Sequence, residues 1–131
     1  MMMDDRALLK LAEQAMGRAY APYSGYRVGA CLLASDGRVF MGCNVENAAF
    51  GLTICAERGA LMNALVAGAR EFDAIAVTAA KSPPWPCGAC RQTLNEFAPA
   101  LRVIVRQSGQ EPQSMPLDAL LPHAFGPGSL V

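Results

Sequence analysis

The 131-residue sequence has no excess of charge of either sign, with 11 Lys and Arg set against 11 Asp and Glu. Its pI is near 6.5. No extended positive field is therefore available to attract a phosphate backbone, which sets long nucleic acid aside as a partner. Long apolar runs are also missing: nothing approaches the roughly 20 uninterrupted residues that a membrane span needs. Asp4 and Asp5 precede the first apolar segment. A soluble, cytoplasmic protein without membrane contact is the expectation. Neither an internal repeat nor a low-complexity segment is found. Histidine is nearly absent, and His123 lies in the tail, far from every other candidate ligand.

What the chain does have is apolar surface. Hydrophobic residues make up 53% of it, enough for one core at a size typical of a single domain, here residues 1–131. Its five cysteines are an odd number. A chain with a workable core does not need disulfides, so these cysteines are expected to bind metal or to be buried thiols.

The spacing of Leu8, Leu9, Leu11, Ala12, Ala15, Met16 and Ala19 predicts an amphipathic helix from Asp5 to Tyr20, ended by Pro22 and Gly25. Tyr26 to Ala34 and Arg38 to Cys43 flank Ser35-Asp36-Gly37 and read as a β-hairpin. Asn44 to Thr53 is a polar loop, and a second helix runs from Cys55 to Ala67 before Gly68. Phe72 to Ala79 is a short apolar strand. A Pro-rich loop, Ser82-Pro83-Pro84-Trp85-Pro86, delivers the chain to a third helix from Cys87 to about Phe97. Leu101 to Arg106 is another strand, Gln107 to Met115 is a polar connection with room for an edge strand, and Leu117 to Leu121 can form a helical turn. This alternation predicts a three-layer α/β/α fold: a mixed sheet of about five strands, opened by the hairpin, with helices on both faces.

Cys87-Gly88-Ala89-Cys90 is a C-x-x-C at a helix start, and Cys55 starts another helix. Helix N-termini stabilise thiolates, so three sulfurs from two helix ends can converge on one ion. Zinc accepts three such ligands tetrahedrally and keeps a fourth position for water. A structural site would want a fourth protein ligand. Cys31 lies among Ala30, Leu32 and Leu33 and reads as a core thiol. Cys43 ends the hairpin just before a polar loop and is more often structural than a ligand there, and His123 carries no specific ligand signal. Glu57, two positions after Cys55 in the first helical turn, can reach a water at such a site without ligating and move its proton. Taken alone, Glu57 is equally an ordinary N-terminal helix glutamate, and C-x-x-C alone also suits a redox dithiol or half a zinc knuckle. Three cysteines together with a non-ligating glutamate are the combination found in zinc deaminases acting on nucleobases.

The chain resembles the small cytidine deaminases that assemble as homotetramers. The matching segments are Tyr23-Ser24-Gly25-Tyr26-Arg27-Val28-Gly29-Ala30, Gly42-Cys43-Asn44-Val45-Glu46-Asn47-Ala48, Cys55-Ala56-Glu57-Arg58, Pro86-Cys87-Gly88-Ala89-Cys90-Arg91-Gln92, and Leu120-Leu121-Pro122 followed by Phe125-Gly126-Pro127. The resemblance implies hydrolytic deamination of cytidine and deoxycytidine in pyrimidine salvage, with one zinc per subunit on Cys55, Cys87 and Cys90 and Glu57 as the catalytic residue. It implies that Asn44 and Glu46 hold the ribose hydroxyls, that Tyr26 lies against the base, and that backbone groups around Ala56 hold the pyrimidine edge. It also implies that Phe125 reaches a neighbouring subunit's pocket, so that active sites are shared within the tetramer. Arg58 would hydrogen-bond the cysteine sulfurs and offset the charge of three thiolates.

Two departures bear on the substrate. The family usually has Ser at the position of Trp85, and a Ser-Tyr or Cys-Tyr pair near Ala49-Phe50. An indole there fits both a reshaped amine subsite and a structural contact, and Phe50 removes one hydroxyl. Three alternatives follow: a deaminase of a modified cytosine nucleoside such as blasticidin S, a non-catalytic zinc-stabilised binding module, and a C-x-x-C oxidoreductase. Asn44 and Glu46 argue against the first, Glu57 against the second and the third cysteine against the third.

Overall fold

The computed structural model describes residues 3–130. Helix α1 spans Asp5–Met16, with Asp4 as its N-cap accepting from the Ala7 N–H at 2.9 Å. Leu8, Leu9, Ala12 and Ala15 form its buried face. The apolar spacing predicts four more residues of helix, yet the chain leaves it at Gly17. Tyr20 is engaged elsewhere: its N–H donates to the Asn44 carbonyl and its carbonyl accepts from the Glu46 N–H. Those long-range bonds compete with the last helical turn, and periodicity has no access to them.

Strands β1 (Val28–Ala34) and β2 (Val39–Cys43) form the expected antiparallel hairpin. Gly37 turns it at φ 95°, a left-handed backbone suited to glycine. Helix α2 (Ala56–Val66), β3 (Phe72–Ala79), α3 (Gly88–Asn95), β4 (Arg102–Gln107), β5 (Gln113–Pro116) and the short α4 (Leu117–Leu120) follow. Single 3-10 turns occupy Phe50–Leu52 and Pro127–Leu130. The third helix ends two residues before its expected limit at Phe97, and β5 is the edge strand for which the polar connection left room.

The sheet order is β2-β1-β3-β4-β5, parallel between β3 and β4 and antiparallel elsewhere. A right-handed α3 crossover is the usual way to join such parallel neighbours. Both faces are covered. Ala30, Leu32, Ile75, Val77 and Val103 pack in one cluster with Ala56, Ala60 and Leu61 of α2, while Cys31, Leu33, Ala74, Ala76 and Ile104 pack in the other with Leu8, Leu9 and Ala12 of α1. Cys31 is thus the core thiol the sequence suggests, and burial pushes its pKa up to about 11.

Two glycines set how closely the helices approach. A Cβ on Gly29 would overlap the Ala12 carbonyl and the Met16 backbone of α1. A Cβ on Gly42 would overlap the Ala56 carbonyl and the Ala60 backbone of α2. The N-terminus of α2, which carries the site, therefore rests directly on the β2 backbone.

Candidate active site

Cys55 and Cys87 occupy the N-cap positions of α2 and α3, and Cys90 lies in the first turn of α3. Neither N-cap side chain bonds to its own helix, which leaves both sulfurs available. The three sulfurs lie within 4.8 Å of one another, with Cys55 and Cys87 4.0 Å apart. Tetrahedral zinc with bonds of about 2.3 Å separates its sulfur ligands by roughly 3.8 Å, so the donor set fits that ion.

Electrostatics agree with the geometry. A hydrogen bond with Cys90 holds the Cys55 thiol below its ordinary range, helped by the Arg58 guanidinium. The same bond, with burial, pushes the Cys90 thiol up. Negative charge thus settles on Cys55, and a cation among the sulfurs would favour release of the Cys90 proton as well. Arg58 donates to the Cys55 Sγ at 3.5 Å and to the Thr53 carbonyl at 3.4 Å, while its buried Nε has no partner.

The other possible ligands are elsewhere. Cys31 is under α1, the Cys43 Sγ faces the Arg18 carbonyl at 3.6 Å, and His123 is exposed in the tail. Among the described residues the sulfur group stops at three.

Glu57, in the first turn of α2, is 5% exposed. Burial, reinforced by the negative charge on Cys55, pushes its pKa up to about 7. A carboxyl group poised there can both take and give a proton near neutrality. It lines a pocket of about 300 Å³ together with Cys55, Cys87, Ala56, Tyr26 and Trp85. Asn44, Glu46 and Ser24 line the same pocket.

Asn44 is nearly buried, with its Oδ1 accepting from the Val28 N–H at 2.9 Å and its Nδ2 donating to the Tyr26 carbonyl at 2.7 Å. One amide hydrogen remains for a ligand. The Glu46 Oε1 accepts from the N–H groups of Tyr23 and Ser24 at 2.9 and 3.1 Å, and its Oε2 accepts from the Ser24 hydroxyl. That hydroxyl is the main reason the Glu46 pKa lies below its ordinary value. The segment 44–46 thus clamps the segment 23–28 beside Cys55 and Cys87.

Trp85 is half-buried, packing against the α2-side core while also lining the pocket. Phe50 is exposed and meets the Tyr23 ring edge-on at 5.9 Å, at the margin of an adjoining cavity. Phe125 is not brought to this pocket. It is exposed, and its carbonyl is held by Gln92 and Asn95 at 2.8 and 3.2 Å. Sequence reasoning missed Ser24 and Thr53. Ser24 stands in a motif already singled out, but a hydroxyl in a turn carries no signal until its partner 22 residues away is known.

Residues 2–106 match the family described as the cytidine and deoxycytidylate deaminase zinc-binding region. The chain belongs to the cytidine and deoxycytidylate deaminase family. A cytidine deaminase of Halalkalibacterium halodurans is 49% identical over 125 residues, covering 94% of this chain and 95% of that protein. One from Sporosarcina psychrophila is 42% identical, covering 94% and 92%. The crystal structure of a cytidine deaminase from Burkholderia pseudomallei superposes with a TM-score of 0.90 at 49% identity, covering 94% of this chain and all of that one. The mixed five-stranded sheet with helices is the deaminase fold, and zinc is the metal of this family region. The family's zinc-binding region takes in all three cysteines of the sulfur group.

Proposed function

We propose that the protein is a zinc-dependent cytidine deaminase that converts cytidine and deoxycytidine to uridine and deoxyuridine, releasing ammonia. The observation that carries this is a buried Glu57 carboxyl, poised near neutrality, in a pocket lined by Cys55 and Cys87 of the three-sulfur group and by Asn44 and Glu46. Cys55, Cys87 and Cys90 would hold the metal. When bound, zinc supplies the Lewis acidity that makes water acidic near neutral pH.

Glu57 accepts one proton of the attacking water as the water oxygen bonds to C4 of the pyrimidine. It delivers that proton to ring N3, then passes the second water proton to the amine as the C4–N bond breaks. The pairing of Arg58 with Cys55 supports a charge-balancing role. Ala56 lines the pocket beside Glu57, which supports a role for its backbone at the pyrimidine edge. Tyr26 and Trp85 supply flat apolar surface for the base, and the open amide hydrogen of Asn44 and the Glu46 carboxylate suit the sugar hydroxyls.

The two core clusters share one sheet, which supports a single domain over residues 1–131. Five free thiols suit a reducing compartment such as the cytoplasm. No helix of the described residues is long and apolar enough to cross a membrane. A homotetramer with shared sites is supported by Phe125, an exposed aromatic with no place in its own subunit's pocket.

The test combines zinc analysis with the loss of ultraviolet absorbance of cytidine, deoxycytidine, 5-methylcytidine and blasticidin S. Trp85 and Phe50 are the reason for the last two substrates. One zinc per chain with turnover of cytidine is the expected result. A zinc-loaded protein that deaminates none of the four would leave the binding-module reading in its place.

A further inference from the structure

The Ser24 hydroxyl has two partners. It accepts from the Tyr26 N–H at 2.9 Å and meets the Glu46 Oε2. An N–H can only donate and a carboxylate can only accept, so the hydroxyl hydrogen has one place to go, toward Oε2. A carboxylate has about four acceptor positions, two on each oxygen. The N–H groups of Tyr23 and Ser24 take both positions on Oε1, and the Ser24 hydroxyl takes one on Oε2. A single acceptor position is left, on Oε2, and its direction is set by Ser24. Both Ser24 and Glu46 line the pocket that holds Glu57 and Cys55.

We propose that Ser24 is a positioning residue that fixes the one open acceptor of Glu46 toward a sugar hydroxyl, and so contributes to the preference for nucleosides with an intact sugar. The inference rests on the cytidine deaminase reading and assigns Ser24 no part in the chemistry at C4. Without its hydroxyl, the Tyr26 N–H loses its acceptor and the Glu46 carboxylate keeps only its two Oε1 bonds, so Oε2 loses the partner that directs its open position. The loss then falls on ligands that donate a hydroxyl to Glu46, and not on those that lack one.

The experiment compares wild type, Ser24→Ala and Ser24→Thr in the zinc-loaded enzyme. KM and kcat are measured for cytidine, and Ki for 2′,3′-dideoxycytidine as a competitor. Ser24 is exposed in a turn, and melting curves establish that the variants fold. Loss of a hydrogen bond to a charged group predicts that Ser24→Ala raises the cytidine KM about tenfold, while kcat and the dideoxycytidine Ki move less than about threefold. Ser24→Thr, which keeps the hydroxyl, should recover most of the cytidine KM. Equal weakening of both ligands, a fall in kcat alone, or no change in either constant would overturn the positioning role. A wild-type protein that does not deaminate cytidine would instead remove the functional reading beneath it.

Discussion

Glu57 combines two properties that a surface glutamate does not have together: a nearly dry environment and a negatively charged neighbour in Cys55. Its proton is held up to about pH 7, where transfer in either direction costs little. Glu57→Gln keeps the shape and removes the exchangeable proton. General acid–base catalysis of this kind predicts a fall in kcat of about 10³-fold, with zinc content unchanged by atomic absorption. Cys31 makes a different prediction, about stability. Its folded pKa of about 11 exceeds the ordinary value of 9.0 because the ionised form would sit in the α1-side core. A raised folded pKa means full stability below the unfolded value and loss as pH climbs through the folded one. Between pH 9 and 11 Cys31 should therefore remove on the order of 2–3 kcal/mol. Urea unfolding of Cys31→Ala should show that much less alkaline dependence than wild type. At this scale the three cysteines and Glu57 could be singled out only as a combination, since Glu57 alone reads equally as an ordinary helix glutamate. The commitments of Asn44 and Glu46 to the segment 23–28 were not legible, because their partners lie 16 to 23 residues away in sequence.

The strands and helices follow from local patterning wherever one chain segment decides its own state. The Asp36-Gly37 turn sits where the hairpin was expected to turn, and β3 has the expected limits of Phe72–Ala79. Departures arise where a distant segment intervenes. Helix α1 stops early because Tyr20 pairs with the segment 44–46. Strand β5 is exposed along its whole length, so no alternation marked it, and only pairing with β4 makes it a strand. Helix α2 depends on Gly42 for its closeness to the sheet. Gly42→Ala should cost about 2–3 kcal/mol in urea unfolding, the scale of an overpacked core. Gly51→Ala, where an added Cβ meets nothing within 4 Å, should stay within about 0.5 kcal/mol. Equal costs at the two positions would show that helix-to-sheet approach is not what Gly42 provides.

Taken as a whole, the molecule places its chemistry at the N-termini of two helices on the same face of one sheet, with α1 covering the other face. It leaves apolar side chains outside. Phe50, Leu52, Met62, Val66 and Phe125 are each more than half exposed. Covering them in a homotetramer predicts a light-scattering mass of about 55 kDa, four times the 13.8 kDa chain. A monomer mass would leave Phe125 without a pocket to enter. What the amino-acid sequence determined by itself was a set of cysteines suited to zinc, a glutamate beside them and the layered α/β architecture. Residue type, short spacing and hydrophobic period are local quantities, and those features depend on nothing else. What the tertiary structure alone decided was convergence: that three sulfurs from two helices fall within 4.8 Å, that Trp85 serves the core and the pocket together, and that Ser24 fixes Glu46. Such contacts join segments tens of residues apart, and their geometry exists only once the sheet has brought those segments together.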